Sequence, residues 1–225
     1  ALDMKEAIAP IAVLCTHYVS AQSCSPSMIL NEFLILVIGA GIGTLWNFYM
    51  PDGRRQLLDY QKTVDDKIVY ILRRMAIYIE LEDKTDYTGS CFDELDAMLV
   101  NLKKEALRYM NNHLITEDDY YYEYMQMRAR QCVILKRIYA DIIRLTTTPE
   151  QGKALADFIR QTADEFAEQN NVETLLSELE RLHHYYEQQQ LPVTRQEFEN
   201  RSMLYHILED MKAFLDIKKD FITAR

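Results

Sequence analysis

Hydrophobic positions recur in steps of three and four beyond residue 51, whereas before it they run together almost without interruption. Leu57, Gln61, Val64, Ile68, Ile71, Met75 and Tyr78 form a heptad-like stripe, which predicts a helix packed lengthwise in a bundle. Residues 82–89 break the stripe, and Ser90 is placed to cap a second helix carrying Phe92, Leu95, Leu99, Leu102, Ala106, Tyr109 and His113. Thr116, followed by Glu117, Asp118 and Asp119, is placed to cap a third, with Tyr124, Leu135, Ile138, Ile142 and Leu145 inward. Thr148-Pro149-Glu150 starts a fourth with Leu155, Phe158, Ile159, Thr162 and Phe166. Asn171 opens a fifth with Val172, Leu175, Leu179, Leu182 and Tyr186. Thr194 and Glu197 have capping-box spacing and open a last helix through Leu204, Leu208, Met211, Leu215 and Ile222. The short loops predict antiparallel neighbours. No alternating strand pattern is present, so the expected fold class is all-α.

The first fifty residues read differently. Residues 33–50 (FLILVIGAGIGTLWNFYM) contain no charged side chain. As a helix they span roughly 27 Å, close to the roughly 30 Å hydrocarbon core of a bilayer. An apolar segment over residues 7–19, interrupted by Thr16 and His17, precedes a small uncharged loop at residues 20–27. Together they predict a membrane-type helical hairpin over 1–50, followed by a helical bundle over 51–225. Gly39 and Gly43 form a GxxxG pair, which lets another helix approach closely in lipid. Trp46, Phe48 and Tyr49 cluster where aromatic rings favour the headgroup layer. Arg54, Arg55, Lys62 and Lys67 follow, and the 20–27 loop has no Lys or Arg, so the bundle is expected in the cytoplasm. The chain begins with Ala and reads as part of a longer protein.

Charge narrows the partners. The 225 residues carry a formal charge of −10, and nearly all of the acidic excess lies beyond residue 51. No basic stripe outweighs those carboxylates, which argues against nucleic acid. Cys15, Cys24, Cys91 and Cys132 show no paired spacing and read as buried free thiols.

Candidate chemistry is sparse. Residues 36–43 imitate a dinucleotide-binding turn, but position 44 is Thr where the fingerprint requires the third glycine, and no βαβ pattern follows. Glu180 and His183 have the ExxH spacing of di-iron bundles, yet no second copy exists, so they read as a solvated pair. No catalytic motif stands out; an enzyme, a metal or another cofactor is not expected. Tyr120, Tyr121 and Tyr124 belong to an aromatic run able to line a groove for a partner helix or planar ligand, or else to fill a wide core. Polar residues in a membrane segment are costly without a partner. His17, Asn31 and Glu32 are therefore candidates for a substrate path, with interfacial anchoring as the plain alternative for the last two.

The segments KEAIAPIAVLCTHYV (5–19) and NEFLILVIGAGIGTLWNFYMPD (31–52), followed by a basic helix entering an acidic helical tail, resemble the bacterial aromatic acid exporter family. The resemblance covers the last membrane hairpin and the exporter C-terminal domain. It implies an inner-membrane efflux protein for aromatic carboxylic acids, with lipid, other transmembrane helices and copies of itself as partners. Its helical domain would serve regulation, assembly or docking. The rival expectation is a soluble all-α interaction module without transport.

Overall fold

The structure, a computed structural model, describes residues 12, 15–16, 19, 25–48, 54–112, 119–146, 150–166 and 172–224. Among the described residues it is all-helical, with no strand. Seven helices follow one another: α1 (Pro26–Phe48), α2 (Arg54–Glu80), α3 (Ser90–Asn112), α4 (Tyr120–Ile142), α5 (Glu150–Asp164), α6 (Val172–Glu187) and α7 (Arg195–Thr223). The chain divides into two compact units, Ala1–Asp52 and Gly53–Arg225.

In the first unit, Ala12, Cys15, Thr16 and Val19 are helical and exposed. The Thr16 hydroxyl donates to the Ala12 carbonyl at 3.0 Å, a bond within one helical turn. His17 lies outside the described residues.

The second unit is the bundle. In α2, Leu57, Gln61, Val64, Ile68, Ile71 and Met75 are all buried, while Tyr78 is only partly so. The α3 stripe is buried from Phe92 to Ala106. Ser90 is itself helical, and Phe92 N–H donates to the Gly89 carbonyl instead. Asp119 occupies the cap position of α4 without a side-chain cap bond, and Thr116 lies outside the described residues. Ile222, expected inward, is 44% exposed, because the inner stripe of α7 ends with Leu215 and Lys218. Cys91 and Cys132 are buried, and burial pushes the Cys132 thiol up to about 12. Cys15, by contrast, is exposed.

Loop length misleads about packing. The two most extensive interfaces join helices that are not sequence neighbours, α2 with α5 and α4 with α7, and α4 with α5 is not a principal pair. The connection after α4 is fastened to α7. Buried Asn200 accepts from Thr146 N–H at 3.0 Å and donates to its hydroxyl at 3.2 Å. From that anchor the chain turns into α5, which packs chiefly on α2.

The α7 start is a working cap. Thr194 Oγ1 accepts from Glu197 N–H at 3.1 Å, and Glu197 Oε2 accepts from Val193 N–H at 3.0 Å. That N–H, foremost, with Arg201 assisting, holds the Glu197 carboxyl below its ordinary range. A depressed carboxyl contributes stability that is full above its unfolded value and lost as pH falls through the folded one. The stability advantage of the native chain over Glu197→Gln should therefore be constant near neutrality. It should shrink below about pH 4, the ordinary glutamate range, in urea melts repeated across pH.

Candidate functional site

Two features stand apart from ordinary bundle packing: the surface of α1 and a buried arginine in α4.

In α1 the usual polarity is reversed. Phe33, Leu34, Ile35, Leu36, Val37, Ile38, Ile42 and Leu45 are 47–71% exposed. The helix's one charged residue, Glu32, is 8% exposed, the lone buried side chain in the stretch Pro26–Gly43. Asn31 beside it is exposed. Water penalises such an arrangement and hydrocarbon favours it. A Cβ added at Gly39, Gly41 or Gly43 would meet nothing within 4 Å, so the glycine face is open.

In the bundle, Arg128 is completely buried. It was reached because Tyr124, Arg128, Gln131, Leu135, Ile138 and Ile142 form one continuous inward stripe of α4. Its Nε pairs with Asp65 of α2 at 2.9 Å and donates to Tyr124 Oη at 2.9 Å. Tyr124 Oη donates in turn to Asp65 Oδ1 at 2.5 Å. Arg128 Nη1 donates to Gln131 Oε1 at 2.7 Å, and Gln131 Nε2 to the Phe214 carbonyl of α7 at 2.8 Å. The guanidinium carbon lies 4.8 Å from the Tyr124 ring centre and 4.5 Å from that of Phe166. One charged group thus ties α2, α4 and α7 together. Burial, with Asp65 nearby, pushes the Tyr124 hydroxyl far above its ordinary value, so it stays a donor at physiological pH.

The tyrosines of the α4 start are mostly interior. Tyr121 and Tyr124 are 5% and 1% exposed, while Tyr120 is half-buried. Tyr109 packs on Tyr121, and Phe221 on both Tyr120 and Tyr124, so neighbouring rings fill the space a groove would need. Between α6 and α7 lies an open groove of about 1080 Å³. In it His183 turns away from Glu180. Its Nε2 lies 2.7 Å from Tyr205 Oη and 3.6 Å from Glu209, and its Nδ1 lies 3.4 Å from Glu187. Among the described residues no group of three or more His, Cys, Asp or Glu is arranged to hold a metal ion.

Comparison with known proteins accounts for both units. Residues 1–50 match the model of "Aromatic acid exporter family member 1", and residues 54–219 match "Putative aromatic acid exporter C-terminal domain". The chain belongs to the aromatic acid exporter family. It is 30% identical over 220 residues to "Uncharacterized protein YqjA" of Bacillus subtilis (strain 168), covering 98% of this chain and 68% of that protein. A solved "putative membrane protein from Clostridium difficile 630" superposes with a TM-score of 0.65 at 29% identity, over 74% of this chain and 99% of that one. This exporter-family chain is thus a membrane protein of a transporter family.

Proposed function

We propose that the chain is the C-terminal part of an inner-membrane efflux transporter for aromatic carboxylic acids. The reversed polarity of α1 carries the reading: its apolar side chains point outward and its carboxylate inward. In this reading α1 lies in lipid, and the bundle over 51–225 is cytoplasmic and serves gating, assembly or docking. His17, Asn31 and Glu32 mark the substrate path, since polar groups in a span need a partner or water. Gly39 and Gly43 form the contact with another transmembrane helix, either from the rest of the transporter or from a second copy.

Cells producing the full-length transporter should expel preloaded benzoate faster than cells lacking it. Because added side chains at Gly39 and Gly43 meet nothing within this chain, the double change Gly39→Ile/Gly43→Ile leaves its own fold alone. It should abolish both export and crosslinked assembly in membranes. Equal benzoate retention with and without the transporter would overturn the assignment.

A further inference from the structure

One aromatic ring in the bundle lies against two cations. Phe166, just beyond the end of α5 and only partly buried, has the Arg128 guanidinium carbon 4.5 Å from its ring centre and Lys218 Nζ 5.5 Å from it. Both cations are deeply placed: Arg128 is 0% exposed and Lys218 6%. The guanidinium is not fully used. Asp65 and Tyr124 engage Nε, and Gln131 engages Nη1, but Nη2 is buried with no hydrogen-bond partner. Leaving a buried charged donor unmade is costly, and native interiors rarely do so without a reason. A void of about 10 Å³ bounded by Phe166, Phe214 and Lys218 is close to the size of a single water. The seat therefore takes a flat ring, and a side chain of the protein fills it.

We propose that this seat binds an aromatic monocarboxylate, which enters when the Phe166 side chain rotates outward. The ligand ring takes the place of the Phe166 ring against Arg128, where a guanidinium stacks well on a π face. Its carboxylate accepts from Arg128 Nη2 and from the Lys218 ammonium. Asp65 and Gln131 keep the rest of the guanidinium engaged, so Nη2 is the edge presented to the ligand. This inference rests on the proposed substrate class and makes the bundle a sensor of the acid that the membrane part exports. Phe166 then acts as an internal stand-in that keeps the seat closed while the acid is scarce.

Calorimetric titration of the whole chain in lipid nanodiscs tests it with three probes. Benzoate carries ring and charge, cyclohexanecarboxylate the charge alone, and benzyl alcohol the ring alone. Saturable benzoate binding is expected, at least about tenfold tighter than either control. Phe166→Ala, which removes the stand-in, should tighten benzoate about tenfold, and Lys218→Met should weaken it about tenfold. Lys218→Arg should restore it. If Phe166→Ala fails to fold, Phe166→Leu keeps the apolar bulk without the π face and should still tighten binding. No saturable benzoate binding in either the native chain or the Phe166 variant overturns the inference, as does an unchanged affinity in Lys218→Met. Benzoate export without binding here refutes the sensor alone. Binding without export refutes the transport reading and leaves the sensor standing.

Discussion

Replacing Asp65 by Ala should lower the unfolding free energy of the bundle by about 3 kcal/mol. Asp65 is the carboxylate paired with Arg128 Nε, and it also accepts from Tyr124 Oη. Without it the guanidinium stays charged, because arginine does not deprotonate in proteins. It would then sit in an interior where its remaining printed acceptors are the neutral Tyr124 and Gln131. The loss is large because an uncompensated buried charge costs more than the pair itself contributes. The double variant Asp65→Ala/Arg128→Met should therefore recover much of the lost stability, since both charged groups are gone and Met fills part of the volume. Urea melts of the four proteins form the cycle that measures this coupling. An Asp65→Ala loss within about 0.5 kcal/mol, the scale of an ordinary surface substitution, would show that the pair does not hold α2 to α4.

An arginine at position 38 should nearly abolish membrane insertion. Ile38 lies near the middle of α1 and is 59% exposed. At the centre of a membrane helix, arginine in place of isoleucine costs about 3 kcal/mol on the insertion scale. That corresponds to roughly two orders of magnitude in the insertion equilibrium. In a water-soluble particle the same change is expected to be neutral or to improve solubility, because it converts an exposed apolar side chain into a charged one. The sign of the effect on the membrane-bound fraction therefore discriminates between lipid and water as the surroundings of α1.

Most of the bundle was legible because its stripes are long and regular. The run from Leu57 to Met75 and the α7 run from Leu204 to Leu215 are buried throughout, as their spacing implies. The Thr194/Glu197 cap was legible too, since a side-chain oxygen at the cap and a carboxylate three residues on satisfy local N–H groups whatever the tertiary fold. Packing order was not. It depends on the Thr146–Asn200 fastening, 54 residues apart in sequence, which periodicity does not encode.

Arg128 was overlooked although the signal was present. Continuing the α4 stripe backwards from Leu135 in steps of four and three lands on Gln131, Arg128 and Tyr124. A charged residue on an inward register is a buried ion pair waiting for a partner, and reading it as a solvated face discards that information. His183 shows the reverse case. Its spacing from Glu180 is within one helix, while its actual partners Tyr205 and Glu209 come from α7.

The account depends on lipid being the natural surroundings of α1, and alkaline carbonate extraction of membranes from cells producing this chain tests that most directly. Retention of the unmodified chain in the pellet, with Ile38→Arg moving to the supernatant, is the predicted result. Release of the unmodified chain as a soluble, folded particle would contradict it.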